Sequence, residues 1–339
     1  MKDKKLKGAI IGFGEVVKKA HVPAFLSHKD SFEITAIVDN NPETLNQSEE
    51  YYPKAARYSS LEALLDNEKN LDFVDIASPP MLHAKLIRQV LNANIHVLCE
   101  KPLVLDTGEF EEIKKLSKEK NLCLFTVHNW NNSPQMLKIK EILDSNILGN
   151  IHYGEFHTLR QRPSISSLKG WRKNPKLSGG GILIDHGWHV FYLIMNMLRK
   201  KPLSISAKLE MSKEETPVDE IANCKIHFEK ASATIHLSWK SPVRKNTAAI
   251  YGDKGLLLFH DNHIVLENQE GREEIKFETG LSQGSAHPEW MTSLLGDFIK
   301  ELENPEIRET NLREAETCLK LIKGALKSHS SNYSAIEIN

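Results

Sequence analysis

The chain has 339 residues, 40% of them apolar, and 44 Lys plus Arg nearly balance 45 Asp plus Glu, which gives a formal charge of −1. A chain of this length suits two domains, each with its own apolar core. The near-neutral charge excludes the strong basic field that attracts nucleic acid or an anionic membrane surface, so we expect neither partner.

Cysteine spacing and apolar runs predict an unprocessed cytoplasmic protein. The four cysteines have neither metal-ligand spacing nor the density of a disulfide framework; they are Cys99, Cys123, Cys224 and Cys318. Glycines and Glu15 interrupt the first apolar run, and no small-residue cleavage site follows it. The longest later run, 190–198, is too short to span a bilayer.

Up to about residue 125, short β-rich runs alternate with helical patterns. The runs are KGAIIGFG, FEITAIVD, DFVDIAS, IHVLCE and LCLFTVH, and helices are predicted over 16–28, 42–50, 60–68, 81–93 and 107–120. This alternation predicts right-handed βαβ units and a doubly wound parallel sheet that is covered on both faces.

Beyond about residue 128, longer strands follow one another, with turn sequences such as FEKASA, YGDKGL and HDNHI between them. One apolar helix is predicted at about 181–198, and two amphipathic helices near 288–303 and 311–328 close the chain. We therefore predict an α/β protein with a doubly wound domain at 1–127. An α+β domain with a large open, mostly antiparallel sheet should occupy 128–339.

The first strand turns through two glycines into a helix, in the segment AIIGFGEVVKKAHVPAF. Gly12 allows a tight turn, Gly14 lets backbone amides approach a pyrophosphate, and the helix N-terminus favours negative charge. Val17 stands where a third glycine usually serves helix packing. The loop residues predicted to contact a dinucleotide are Gly12, Phe13, Gly14, Glu15 and Val16, with the Glu15 side chain directed to solvent. A plain strand–turn is the alternative.

The second strand ends in Asp39, which Asn40 follows. An acidic side chain here accepts hydrogen bonds from an adenosine ribose and repels a 2′-phosphate, and no Lys or Arg adjoins it. The cofactor is therefore predicted to be NAD rather than NADP. Alternatively, Asp39 begins a turn in DNNPE, and the two interpretations are compatible.

The next two strands end in ASPPMLHA and CEKP, at the sheet edge where doubly wound folds bind ligands. The opposite charges of Glu100 and Lys101 follow a buried strand, where an isolated charge is costly, so they must be paired, exposed to solvent or employed in binding or catalysis. Pro102 holds Lys101 extended and permits a cis peptide, which fixes where the lysine points. The alternative for Lys101 is an ordinary surface salt bridge with Glu100.

Downstream, GGGILIDHGWH places Asp185 and His189 four residues apart, on one face of the predicted helix. An apolar helix has no structural need for this pair. We interpret the glycines at 179–181 as removing side chains where backbone passes close to a substrate. His186 and His189 lack a third ligand at suitable spacing, so no metal site is predicted.

These segments resemble the Gfo/Idh/MocA family of nicotinamide-dependent oxidoreductases, which is named for glucose–fructose oxidoreductase and inositol dehydrogenase. The resemblance runs nearly end to end and is most specific in EKP and in the later WR…GGG…D-x-x-x-H block. It implies an N-terminal Rossmann domain that binds the dinucleotide. It also implies a C-terminal domain whose open sheet carries the substrate and forms a homo-oligomer, a dimer or a tetramer.

The resemblance also implies roles for single residues. Lys101, Asp185 and His189 match the family's catalytic set. The residues expected near the nicotinamide are Ser78, Pro79, His83, Glu100 and Lys101. Those expected near the substrate are Asn129, Trp130, Trp171, Arg172, Asp185, His189 and Tyr192. Tyr192 departs from the pattern, since an aspartate is common at its position; it either reaches the substrate or packs in the apolar segment.

The resulting hypothesis is hydride transfer between nicotinamide C4 and a secondary alcohol carbon of a sugar, cyclitol or sugar derivative. His189 would act as general base, Lys101 would stabilise the developing oxyanion, and Asp185 would orient the pair. Lys101 is the alternative proton acceptor. Reduction of an imine or enone, oxidation followed by elimination, and a non-catalytic NAD(H)-binding sensor are the alternative functions.

Overall fold

The computed structural model describes residues 5–162, 174–284 and 286–338, apart from the side chain of residue 176. The chain forms two compact units. The first unit contains Met1–Asn129 and Ala286–Glu316, and the second contains Trp130–Ser285 and Thr317–Asn339. Each unit is therefore built from two separate stretches of sequence.

The first unit holds a six-stranded parallel sheet in the order β3-β2-β1-β4-β5-β6. Its strands are β1 (Leu6–Ile11), β2 (Phe32–Val38), β3 (Ala56–Tyr58), β4 (Phe73–Ile76), β5 (His96–Cys99) and β6 (Leu124–Thr126). The strand order reverses between β1 and β4, so the predicted doubly wound parallel sheet is confirmed. The three-residue edge strand β3 was not predicted.

Helices follow the strands of this unit. They are α1 (Val22–Ser27), α2 (Pro42–Gln47), α3 (Leu61–Asn67), α4 (His83–Asn92) and α5 (Thr107–Glu119), with a π-helical turn at Val17–His21 before α1. Side-chain oxygens of Asn41, Ser60 and Asp106 cap α2, α3 and α5 by accepting backbone N–H groups of the first turn.

A further helix, α9 (Pro288–Glu303), completes the core of the first unit. Its apolar face places Leu294, Leu295 and Phe298 in one buried cluster with Phe32 and other side chains of the parallel sheet. The units therefore differ from the predicted division at residue 127, which assigned all of 128–339 to the second domain. The reason is that the apolar stripe of α9 is buried in the first core.

The second unit holds a nine-stranded sheet in the order β14-β13-β12-β11-β7-β10-β9-β8-β15. Its strands are β7 (Ile151–Leu159), β8 (Pro202–Met211), β9 (Asp219–Phe228), β10 (Ala231–Ser238), β11 (Lys245–Gly252), β12 (Gly255–His260), β13 (His263–Asn268), β14 (Gly271–Lys276) and β15 (Ile336–Glu337). Only β7 and β10 pair in parallel among these neighbours. The mostly antiparallel second sheet is confirmed.

The remaining helices are α6 (Pro134–Asp144), α7 (Pro175–Ser178), α8 (Trp188–Leu198) and α10 (Glu309–Ser330), and the boundary between the units falls within α10. A π-helical turn at Leu183–Gly187 precedes α8. The sequence analysis did not predict α6. Across the described ranges, no helix has both the length and the apolarity that crossing a membrane requires.

Candidate active site

The glycine loop of the first unit has the geometry that its sequence predicts. Gly12 has φ +85°, and a Cβ there would lie 2.8 Å from the Ala77 carbonyl oxygen, so only glycine fits this turn. A Cβ added to Gly14 would meet no atom within 4 Å, so this side of the loop is open. Phe13 is fully buried, and Val17 fills the core at the position of the absent third glycine.

Asp39 ties this loop to the end of β2. Its Oδ2 accepts the Phe13 amide at 2.8 Å, and its Oδ1 accepts the Asn41 amide at 2.9 Å. The turn interpretation is thus correct. Each carboxylate oxygen has a second lone pair, so the turn does not exclude a ribose hydroxyl. Asn40 beside it is exposed.

Two loop residues face solvent. Val16 is 39% exposed. Glu15 lies 2.8 Å from the Lys19 ammonium, and this hydrogen bond lowers the pKa of Glu15. The Glu15 side chain is therefore directed as the sequence analysis expected.

His83 connects two of the βα junctions. Its Nδ1 lies 2.9 Å from the Pro102 carbonyl oxygen and its Nε2 lies 2.8 Å from that of Ser78. The ring is fully buried, and burial lowers its pKa, so a neutral His83 donates to one of the two carbonyls. Among the described residues, the buried Ser78 hydroxyl has no hydrogen-bond partner. Pro79 is half-buried, and contact of these residues with a cofactor stays a prediction.

The Lys101–Pro102 peptide bond is cis, and Lys101 is half-buried. The Glu100 carboxylate holds the backbone here, since its Oε2 accepts the Lys101 amide at 3.1 Å. Its Oε1 lies 3.0 Å from His21 Nε2, and the other nitrogen of His21 lies 2.7 Å from Asp75 Oδ2. The sequence analysis missed His21 and Asp75, although an aspartate inside a buried strand was an available signal.

In the second unit, Asp185 and His189 lie on the π-helical turn and on α8 respectively. His189 is 7% exposed and stacks on Trp130, with ring centroids 4.3 Å apart and planes 9° apart. Its Nδ1 lies 2.7 Å from the Tyr192 hydroxyl, which also accepts the Trp130 amide at 3.2 Å. Stacking on Trp130 and the hydrogen bond with Tyr192 therefore both hold the imidazole.

Tyr192 is fully buried, so the structure supports the packing alternative for this residue. Its hydroxyl nevertheless reaches the predicted catalytic histidine, which neither sequence alternative included. Asp185 Oδ2 lies 3.3 Å from Nδ1 of its neighbour His186. Direct contact of Tyr192 with a substrate stays a prediction.

A buried aspartate that sequence reasoning missed holds the start of this segment. Asp219 is 3% exposed, and its two oxygens accept the Gly181 and Leu183 amides, both at 2.7 Å. A Cβ on Gly181 would lie 1.9 Å from the Asp219 carbonyl oxygen, and Gly179 has φ +80°. Packing within the unit thus requires Gly181, and the positive φ favours glycine at Gly179, while close approach of a substrate to this backbone stays a prediction.

Arg160 is a further buried charge that the sequence analysis did not single out. It is 1% exposed, and its guanidinium carbon lies 6.0 Å from the Trp130 ring centroid. Its terminal nitrogens donate to the carbonyls of Leu159 and Lys245 and to the Asn246 side chain. Burial lowers the pKa of Arg160 to about 9.

The other predicted residues have different outcomes. Asn129 begins a 3₁₀ turn and is half-buried, while Trp171 and Arg172 lie outside the described residues. Lys101 belongs to the first unit, and Asp185 and His189 belong to the second. Within the described ranges, no group of three or more His, Cys, Asp or Glu side chains has an arrangement able to hold a metal ion.

Two family models match the chain. Residues 6–146 match an oxidoreductase family with an NAD-binding Rossmann fold, GFO_IDH_MocA, and residues 136–258 match the GFO/IDH/MocA C-terminal domain. Together they extend from the glycine loop to the sheet of the second unit.

Curated relatives share about a quarter to a third of the aligned residues. An uncharacterized oxidoreductase of Schizosaccharomyces pombe is 30% identical over 220 residues, 65% of this chain and 58% of that protein. D-glucoside 3-dehydrogenase of Escherichia coli is 28% identical over 195 residues, which are 57% of this chain and 54% of that protein. An NADP(+)-dependent scyllo-inositol 2-dehydrogenase of Bacillus subtilis is 24% identical over 233 residues, which are 68% of this chain and 62% of that protein. The matched region covers less than two thirds of each of these relatives.

Among solved structures, levoglucosan dehydrogenase in complex with NADH and levoglucosan superposes with a TM-score of 0.85. The sequence identity is 19%, and the superposition covers 99% of this chain and 100% of that one. At this identity the similarity establishes a shared fold.

Proposed function

The chain belongs to the Gfo/Idh/MocA oxidoreductase family, and from that premise we propose that it transfers a hydride between nicotinamide C4 and a secondary alcohol carbon of a sugar, cyclitol or sugar derivative. The observation that carries the proposal is the environment of His189. This imidazole lies in the D-x-x-x-H segment, stacks on Trp130 and is held at Nδ1 by Tyr192. A fixed imidazole is well suited to take a hydroxyl proton near neutral pH.

The proposed proton and charge steps use this chain's own residues. When bound, a nicotinamide would supply the hydride acceptor, and the alcohol oxygen would gain alkoxide character as its proton leaves. His189 takes that proton, and the Lys101 ammonium stabilises the negative oxygen. Asp185, which precedes His189 by four residues, orients the pair formed by His189 and Lys101. Lys101 is the alternative proton acceptor.

Three observations support dinucleotide binding by the first unit. The space at Gly14 is open, the Asp39 oxygens retain lone pairs, and the buried Ser78 hydroxyl has no partner among the described residues. In the proposal, Gly12 to Val16 bind the pyrophosphate, and Asp39 and Asn40 bind the adenosine ribose. We propose that Ser78, Pro79 and Lys101, all half-buried, lie near the bound nicotinamide.

We propose NAD rather than NADP because the Asp39 carboxylate repels a 2′-phosphate. Fluorescence titration with NADH and NADPH tests this preference. Asp39→Asn removes the charge and keeps one oxygen acceptor for the loop, so it should improve NADPH affinity at least about tenfold relative to NADH. An unchanged ratio would exclude Asp39 as the determinant.

The reaction is tested by incubating the protein with NAD⁺ and a panel of sugars, cyclitols and sugar acids, and by following absorbance near 340 nm. His189→Ala should lower kcat roughly a hundredfold to ten-thousandfold with little change in NADH affinity, because general acid–base catalysis contributes that range. His227→Ala, on β9 of the same unit, is the matched control and should keep full activity. A fully active His189→Ala enzyme would contradict the assignment.

The same panel separates the alternative functions. NADH binding without turnover of any polyol would favour a sensor. Mass spectrometry of the product distinguishes a simple ketone from an eliminated or reduced imine or enone product. A ketone two mass units below the alcohol supports the proposed oxidation.

We further propose a cytoplasmic homo-oligomer, a dimer or a tetramer, formed through the sheet of the second unit. The buried thiols of all four cysteines support a reducing compartment. On the sheet, Tyr153, Tyr251 and Leu256 are cross-strand neighbours that are each partly exposed, which supports an apolar contact surface. Light scattering coupled to size-exclusion chromatography should show an oligomer that Tyr251→Glu dissociates. A monomeric wild-type protein would contradict it.

A further inference from the structure

A histidine and two carboxylates meet inside the first unit, each from a different element. His21 ends the π-helical turn that follows the glycine loop, Asp75 lies within β4, and Glu100 follows β5. His21 Nδ1 lies 2.7 Å from Asp75 Oδ2, and His21 Nε2 lies 3.0 Å from Glu100 Oε1. The side chains of His21 and Asp75 are 0% exposed, and that of Glu100 is 15% exposed.

This arrangement requires a protonated imidazole. Both ring nitrogens face carboxylate oxygens, which accept, so both nitrogens donate. Burial by itself disfavours the charged ring, but the Asp75 and Glu100 carboxylates outweigh it and raise the pKa of His21 to about 10. Burial opposes ionisation of Glu100 as well, yet the hydrogen bond from His21 keeps the pKa of Glu100 low. The three groups therefore form a buried ion cluster.

The other titratable groups next to the cluster do not supply its positive charge. Tyr52 and Cys99 interact with these carboxylates, and burial raises the pKa of both, so both stay neutral. A cation near the cluster is Lys101, whose charge also lowers the pKa of Glu100.

Stability alone does not explain a buried ion cluster, because well-packed apolar residues of similar volume often stabilise the folded state as much. Its position suggests another role. The Glu100 oxygen not bonded to His21 accepts the Lys101 amide at 3.1 Å, so the cluster leads directly to the backbone of the predicted catalytic lysine. The chain of contacts runs Asp75, His21, Glu100 and Lys101.

We propose that His21 is a positioning residue: held between Asp75 and Glu100, it fixes the Glu100 carboxylate that grips the Lys101 amide, and so sets the backbone from which the lysine side chain departs. His21 itself touches no reacting atom. The expected effect of His21 on turnover rests on the proposed hydride transfer, whereas its expected effect on the Lys101 backbone does not. His21→Gln removes the charge and replaces two donor nitrogens on opposite sides of a ring with a single amide nitrogen, which cannot hold both carboxylates in the same way, so it is the informative variant.

The first test measures hydrogen exchange of the Lys101 amide by NMR and needs no activity. In His21→Gln, the freed Glu100 carboxylate should release this amide, and its exchange should accelerate at least about tenfold. The matched control is His96→Gln, at the opposite end of β5, where Nδ1 accepts the Cys123 amide. Circular dichroism confirms that both variants are folded at the assay temperature. Unchanged Lys101 exchange in folded His21→Gln would overturn the proposal.

The second test is a double-mutant cycle on turnover with a substrate found in the polyol panel. We expect His21→Gln to lower kcat at least about tenfold, with KM for NAD⁺ within about threefold of wild type. In the double variant, His21→Gln should lower kcat less than about twofold below that of Lys101→Ala alone, because His21 acts through that lysine. If the two substitutions lower kcat by independent factors, the proposed positioning role of His21 is wrong. If the wild type oxidises no polyol, the proposed function fails, and the exchange measurement alone decides.

Discussion

The charge on His21 makes a quantitative prediction about alkaline stability. Since its folded pKa of about 10 exceeds the unfolded value of 6.5, the cluster stabilises the first unit fully below about pH 6.5 and loses this contribution as the pH rises towards 10. Each pH unit in that window costs about 1.4 kcal/mol, so the free energy of unfolding should fall by about 3 kcal/mol between pH 7 and pH 9.5. His21→Gln removes the titrating group and should abolish this slope.

Urea unfolding followed by intrinsic fluorescence at a series of pH values measures the effect. The decisive quantity is the difference between wild type and His21→Gln at each pH, because shared contributions from other groups cancel. His96→Gln is the control: burial lowers the pKa of His96 to about 4, so its contribution is lost only as the pH falls from about 6.5 towards 4. A difference between wild type and His21→Gln that stays constant from pH 7 to pH 9.5 would refute the charged assignment.

Three further predictions concern single positions. Gly181→Ala places a Cβ 1.9 Å from a backbone oxygen of Asp219 and should destabilise the second unit by roughly 3 kcal/mol, as measured by thermal unfolding. Gly14→Ala meets no atom within 4 Å, so it should leave stability within about 0.5 kcal/mol of wild type yet weaken NADH binding in a fluorescence titration; unchanged binding would contradict the proposed phosphate loop. Tyr192→Phe removes the acceptor of the buried Trp130 amide and should cost about 1–2 kcal/mol in urea unfolding, with a lower kcat and an unchanged NADH affinity.

Much of the fold could be predicted from local sequence patterns. Alternation of strands and helices predicted the parallel sheet, and the turn sequence HDNHI separated β12 from β13 correctly. The turn at Gly12 could also be assigned from sequence, because its φ of +85° favours glycine. What these features share is that their physical cause lies within a few residues of chain.

The missed features depend on partners far away in sequence. His21 meets Asp75 and Glu100 at separations of 54 and 79 residues, and Asp219 binds the Leu183 amide 36 residues before it. No periodicity encodes such pairs, because they arise only when the sheet order is known. The packing requirement at Gly181 was missed for the same reason, because the backbone that excludes a side chain there belongs to β9.

The divided sequence of the first unit has a consequence for synthesis of the chain. Phe298 of α9 contacts the rings of Phe32, Phe73 and Phe125, with centroids 5.3–6.4 Å apart across this aromatic group. These three phenylalanines are synthesised before Phe298, and even the last of them, Phe125, precedes it by more than 170 residues. During translation the core of the nascent parallel sheet therefore stays incomplete while strands β7 to β14 of the second sheet emerge. Slow elongation through residues 130–285 would prolong the interval in which this aromatic surface is open to chaperones or to aggregation.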